Sequence, residues 1–178
     1  DGSGITTAAM DGVDVAIEFS QPESVVTNIE ALARVGVNVV VGTTGWSDQR
    51  AKVESIVRDA GIGLIHGANF SLGMNLFFEI VGYASRLVGM LPQYDAYLSE
   101  EHHRAKKDAP SGTALMLGEA AARGRNLDLA EHSVRVRDGH TGAREPGSIG
   151  FATLRGGNVI GEHKVILAGP AERIELAH

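Results

Sequence analysis

Glu100-Glu101-His102-His103-Arg104-Ala105-Lys106-Lys107-Asp108-Ala109-Pro110-Ser111-Gly112-Thr113-Ala114 is where this chain concentrates the side chains that could do chemistry. Five potential cations, His102, His103, Arg104, Lys106 and Lys107, crowd together in a protein whose formal net charge is −6. They run into Asp-Ala-Pro-Ser-Gly-Thr, which reads as a tight loop delivering the chain to a helix start. A helix start offers unpaired backbone N–H groups and the positive end of the dipole, and together these bind anions. Imidazoles and an ammonium beside such a site suit proton transfer on a carboxylate substrate.

Each part alone has a plainer reading. A His-His pair is commonly a strand-end or surface feature, a Lys/Arg run a solvated face, and Ser-Gly-Thr before an apolar run a helix cap. Metal binding is a second functional reading. A metal-dependent hydrolase would use Glu101, His102 and His163 or His140. Adjacency argues against it, because neighbouring strand residues point to opposite faces and His102 and His103 would not share one ion. No His-Glu-x-x-His pattern and no cysteine supports a metal centre. The joint pattern favours an anion site with an acid/base.

The elements that must position these residues fall into two kinds. The first third reads as α/β, beginning with a β-branched strand over 13–19. Ser20-Gln21-Pro22-Glu23 has capping-box spacing, and the helix it opens is expected to end at Gly36. A strand over 37–41, a helix over 48–60 ending at Gly61, and a strand over 62–66 follow. Strand, helix, strand, helix, strand implies parallel pairing with right-handed crossovers, and ligands of such sheets lie beyond the carboxyl ends of the strands. Phe19-Ser20, Gly42-Thr43-Thr44 and Gly67-Ala68-Asn69-Phe70 all fall there. From about Ala68 the character becomes α+β. The spacing predicts an apolar helix over 72–88, a strand over 94–101 ending at the His-His segment, and a helix over 114–123. Strands are expected over 132–137, 149–155, 159–168 and 173–177.

Glu-x-His-His with Lys106 and Asp108-Ala109-Pro110-Ser111-Gly112-Thr113-Ala114 resembles the signature of the 4-hydroxy-tetrahydrodipicolinate (dihydrodipicolinate) reductase family. So do Glu18-Phe19-Ser20-Gln21-Pro22, Val41-Gly42-Thr43-Thr44-Gly45-Trp46, Ala68-Asn69-Phe70-Ser71-Leu72-Gly73-Met74-Asn75, Gly150-Phe151-Ala152-Thr153-Leu154-Arg155 and Gly161-Glu162-His163, in family order. The resemblance covers nearly all of the chain. It implies residues 1–67 as a partial Rossmann-like dinucleotide-binding domain. It also implies residues 68–178 as a substrate-binding and tetramerisation domain with a mixed, mostly antiparallel sheet.

The implied activity is NADH- or NADPH-dependent reduction of 4-hydroxy-tetrahydrodipicolinate, via dihydrodipicolinate, to tetrahydrodipicolinate in lysine and diaminopimelate synthesis. The resemblance makes His102 the acid, with Lys106 sharing the proton transfer or supplying positive charge. His103, Lys106, Ser111, Gly112 and Thr113 hold substrate carboxylates. Phe19, Gly42, Thr43, Thr44, Gly67, Ala68, Asn69 and Phe70 meet the cofactor. No metal and no nucleic acid or membrane partner is implied; a homotetramer in the cytoplasm is.

The family's Gly-x-x-Gly-x-x-Gly phosphate turn has no counterpart before Val13, where Asp1-Gly2-Ser3-Gly4 is too short to supply one. The chain therefore reads as a piece of a longer enzyme. A catalytically silent dicarboxylate-binding or scaffold protein is the alternative. Composition agrees without discriminating. The chain is 43% hydrophobic over 178 residues and acidic, with no cysteine and a single Trp. That balance disfavours nucleic acid and anionic membranes as partners and excludes disulfide or thiolate chemistry.

Overall fold

The computed structural model describes residues 2–178 and turns the β-branched runs of the first third into strands. These are β1 (Val15–Glu18), β2 (Asn38–Val41) and β3 (Leu64–His66), with α1 (Pro22–Arg34) and α2 (Arg50–Ala60) as the crossovers. The sheet order is β1-β2-β3 and both pairings are parallel. The apolar face of α1, with Val25, Val26, Ile29 and Leu32, buries against Val39 and Val41 of β2, with Trp46 and Val53 closing the core. The chain divides after this layer into two units, the first ending at Phe70 and the second running Ser71–His178.

Two local expectations are corrected in the first unit. Ser20 does not cap α1: the cap residue is Gln21, without a side-chain cap bond, and Pro22 at the helix start has no N–H to satisfy. The Ser20 hydroxyl and N–H turn back to Glu18 instead. The helix expected from 48 begins with a short 3₁₀ turn (Ser47–Gln49) and becomes α-helical at Arg50.

The second unit packs α3 (Leu72–Gly89) and α4 (Gly112–Gly124) over a five-stranded mixed sheet of order β5-β6-β4-β7-β8. Its strands are β4 (Asp95–His102), β5 (Ser133–Val134), β6 (Ile149–Arg155), β7 (Glu162–Ala168) and β8 (Arg173–Ala177). β4 lies at the centre, parallel to β6 and antiparallel to β7. Met74, Phe77 and Val81 of α3, Leu117, Ala120 and Ala121 of α4, and Leu98, Ile149, Val165 and Leu167 of the sheet form one buried cluster. The two helices meet at Gly124, where a Cβ would stand 2.4 Å from the Gly82 carbonyl oxygen.

The strand expected over 132–137 is mostly absent. Asp128 caps a short helix, α5 (Leu129–His132), by accepting from the Ala130 N–H at 2.8 Å. Only Ser133 and Val134 then find partners, on Ile149 and Gly150 of β6. β7 begins at Glu162 rather than 159, because the chain is still leaving the Gly156-Gly157 turn and Ile160 stands exposed.

Candidate active site

β4 alternates faces, and its inward face carries Ala96, Leu98, Glu100 and His102 in sequence. The core face of the strand thus runs straight from apolar packing into a buried carboxylate and a buried imidazole. Glu100 is 1% exposed. Its Oε1 accepts from Arg155 Nη2 at 2.8 Å and from the Ser111 N–H at 3.2 Å, and its Oε2 lies 2.5 Å from His102 Nδ1. Burial alone would raise the Glu100 pKa; the Arg155 and Ser111 hydrogen bonds and the nearby positive charge outweigh it and hold the carboxyl below its ordinary value. Arg155 comes from β6, where it is the register partner of His102.

His163 enters from β7 as the register partner of Glu100. Its ring stands edge-on to His102 with centroids 5.0 Å apart. Burial, and then the neighbouring His102, push the His163 pKa down to about 4, so this imidazole is neutral at ordinary pH. Its Nε2 lies 3.3 Å from the Ser111 hydroxyl, which also caps α4 by accepting from the Ala114 N–H at 3.1 Å.

The loop between β4 and α4 is tied to this cluster at several points. Arg155 Nη2 donates to the Asp108 carbonyl at 2.6 Å, and the Ala109–Pro110 peptide in the same loop is cis. Lys106 is half-buried, with Nζ 2.8 Å from Asp108 Oδ1. Asp108 Oδ2 accepts from the Gly112 N–H at 3.3 Å. A carboxylate of the chain itself therefore touches both an ammonium and a helix-start amide, the donor types that would bind an external carboxylate.

The placement of the expected residues is uneven. His102, Lys106, Gly112 and Thr113 belong to this one region of the second unit. His103 follows the end of β4 and is exposed. Ser111 is 1% exposed, with its N–H on Glu100 and its hydroxyl between Ala114 and His163, so it positions the helix start and offers nothing outward. The residues missed in the sequence are Glu100 and Arg155, and the role of His163 was read only as a metal alternative. The signal for Glu100 was its spacing: two residues before His102 on a strand places it on the same face.

Among the described residues the donors that come within 4.8 Å of one another are Glu100, His102 and His163; Glu101 and His140 are not in the group. Glu100 Oε1 is already bound to the Arg155 guanidinium.

In the first unit, the ends of β1, β2 and β3 gather Phe19, Gly42–Thr44 and Gly67–Phe70. Glu18 is the organiser here. It is 6% exposed and takes hydrogen bonds from the Thr43 hydroxyl at 2.5 Å, from the Ser20 hydroxyl and N–H, and from Asn28. Burial acts to raise its pKa, and these donors together lower it below the ordinary value. The phenyl rings of Phe19 and Phe70 are exposed and stand over Gly42 and Gly67; a Cβ on Gly42 would fall 2.0 Å from the Phe19 ring. A cavity of about 170 Å³ is lined by Thr43, Thr44, Trp46, His66, Gly67 and Ala68. Flat apolar faces beside small hydroxyls and open backbone fit the nicotinamide end of a dinucleotide. The start of α1, at Gln21-Pro22, has no glycine turn and lacks an N–H at Pro22, so it does not suit the pyrophosphate.

Two family models match this chain. One described as dihydrodipicolinate reductase, N-terminus, covers residues 3–70, and one described as dihydrodipicolinate reductase, C-terminus, covers residues 73–178. A 4-hydroxy-tetrahydrodipicolinate reductase of Methylocella silvestris is 52% identical over 93% of this chain and 60% of its own length. One of Rhizobium meliloti is 52% identical over 91% of this chain and 59% of its own. The chain thus spans about three fifths of the curated relatives it matches. Among solved structures, a dipicolinate-bound dihydrodipicolinate reductase from Paenisporosarcina sp. TG-14 superposes with a TM-score of 0.66 at 24% identity. That match covers 96% of this chain and 64% of the other. It supports the fold: a Rossmann-like parallel sheet followed by an α+β unit.

Proposed function

This chain belongs to the dihydrodipicolinate reductase family, and from that premise we propose that it carries out the reduction of a cyclic, unsaturated dicarboxylate. The substrate of this reading is 4-hydroxy-tetrahydrodipicolinate, reduced via dihydrodipicolinate to tetrahydrodipicolinate with NADH or NADPH. The observation that carries the reading is the meeting of a buried carboxylate–imidazole pair with an ammonium and a helix start. Few reactions need an acid and several anion donors so close together; a dicarboxylate that must be protonated after reduction needs both.

The cofactor, when bound, supplies the hydride, and Phe19, Gly42, Thr43, Thr44, Gly67, Ala68, Asn69 and Phe70 would hold its nicotinamide end. The chain's own residues do the rest. His102 donates the proton, its ring held against the buried Glu100 carboxylate. Lys106 supplies positive charge beside the ring nitrogen or a carboxylate. The N–H groups of Gly112 and Thr113 and the Thr113 hydroxyl take a carboxylate, with His103 from the loop side. Lys106 and the Gly112 N–H then exchange the Asp108 carboxylate for that of the substrate. A cytoplasmic homotetramer built through the second sheet belongs to the same reading; among the described residues no helix is long and apolar enough to cross a membrane.

The test is a coupled assay of the intact reductase that carries this chain, with dipicolinate as competitor. Substrate-dependent oxidation of NADH or NADPH, inhibited competitively by dipicolinate, is the expected result. Absence of oxidation with either cofactor would reject the reading.

A further inference from the structure

We propose that Glu100, braced by Arg155, is the positioning residue for His102: its carboxylate holds the imidazole as the Nδ1–H tautomer and aims Nε2 at the reacting molecule. The inference rests on the reading of His102 as the acid, but it is carried by geometry. Glu100 Oε2 and His102 Nδ1 are 2.5 Å apart, and both atoms are buried with no other polar partner. Arg155 and the Ser111 N–H keep Glu100 ionised, so its Oε2 has no proton to offer the ring. A carboxylate oxygen and an unprotonated ring nitrogen would meet lone pair to lone pair at that distance, with no water to separate them. The proton of the neutral ring must therefore reside on Nδ1, and the proton that His102 donates is a second one, taken up at Nε2 to give an imidazolium that the Glu100 carboxylate stabilises.

The bracing explains why the carboxylate stays where it is. Arg155 Nη2 and the Ser111 N–H both hold Oε1, leaving Oε2 for the imidazole. The groups facing the pair are Arg155 from β6, His163 from β7, and Lys106 and Asp108 from the loop. Neutral His163 adds no charge to compete with the Glu100–His102 contact. Nε2 of His102 lies on the side of Gly161, where a Cβ would stand only 3.0 Å away. Glycine at that position leaves the nitrogen room to meet another molecule. Because Oε1 also accepts from Ser111, one carboxylate sets both the acid and the helix start that binds the anion.

The inference separates from the reductase reading in its measurement. Imidazole nitrogen chemical shifts in the ¹⁵N-labelled chain report the tautomer of His102 without any turnover. The wild type should favour the Nδ1–H form by about tenfold or more. Glu100→Gln keeps an oxygen for Arg155 and Ser111 but turns an NH₂ toward Nδ1, so the preference should collapse or invert. In the reductase assay the same variant should lose about 10- to 100-fold in kcat, as expected for a lost orienting partner, with KM within about threefold. Glu100→Asp, which keeps the charge and withdraws it, should fall between.

A wild-type His102 in the Nε2–H form would overturn the proposal, and this result needs no variant to fold. An unchanged tautomer in folded Glu100→Gln would overturn it too. A tautomer that responds as expected in a protein with no reductase activity would uphold the positioning and reject the reaction.

Discussion

Glu100 and His163 face each other as register partners in β4 and β7, one ionised and one held neutral in the same buried layer. Burial disfavours charge on both, but only Glu100 has a cation within bonding distance. Arg155 satisfies the carboxylate, whereas protonating His163 would add a charge beside His102 with no anion of its own.

Acid should therefore destabilise the second unit by way of His163. Its folded value, about 4, lies below the ordinary 6.5, so between these the unfolded chain binds a proton that the folded chain refuses. The stabilisation is fully present above the ordinary value and is lost as pH falls toward the folded one. From about pH 7 to about pH 5 the loss should reach up to about 2 kcal/mol. Amide exchange in β4 and β7 measures it, and His163→Gln should flatten the dependence. Glu100, with its lowered value, adds a further loss only in more acidic solution.

The acid and the charge of the proposed mechanism should separate in kinetics. His102→Gln is expected to lower turnover by about two orders of magnitude with little change in substrate binding. Lys106→Ala should damage both, because in the proposed mechanism its ammonium serves the carboxylate as well as the ring. Near wild-type turnover in His102→Gln would remove the acid from this position.

The order of elements in both units was legible because its signals are local. Period-two alternation gave β4, β-branched runs gave β1 and β2, and Gly61 marked the end of α2 with a left-handed φ of 67°. His102 and the 111–113 helix start were legible from residue type and spacing. Glu100 and Arg155 were not, since a charged side chain in a sequence reads as solvated until its partner is known. Their partnership spans 55 positions and depends on β6 lying parallel to β4. The strand expected at 132–137 was also beyond local signals: its β-branched pattern was adequate, yet only Ser133 and Val134 pair with β6, and the chain leaves that edge although β6 runs on to Arg155.

Thr113 should govern affinity more than rate. Thr113→Val removes a hydroxyl at the helix start and leaves the fold of α4 intact, because the cap is supplied by Ser111. The Michaelis constant should rise by about tenfold, the value of one lost hydrogen bond to a charged group, with a smaller effect on turnover. Dipicolinate affinity should fall in parallel. Equal affinities in wild type and variant would place the anion site elsewhere.

Thr43 offers the corresponding test in the first unit. Its hydroxyl donates to Glu18 Oε2 at 2.5 Å, while Ser20 and Asn28 serve Oε1. Thr43→Val preserves shape but leaves a buried carboxylate oxygen without that partner, at a cost of about 1–3 kcal/mol. Trp46, the single tryptophan, donates to the Thr43 carbonyl at 2.8 Å, so its fluorescence reports unfolding at the same loop. The variant should unfold at lower urea than wild type, and the gap should narrow in acid. Glu18 has a lowered pKa, so its hydrogen bonds stabilise the fold above the ordinary carboxylate value, and that contribution is lost as pH falls through the folded one. Thr43→Ser, which keeps the hydroxyl, should recover most of the loss. If Thr43→Ser unfolded as early as Thr43→Val, keeping the hydroxyl would recover nothing, and Glu18 would not be the organiser of this loop.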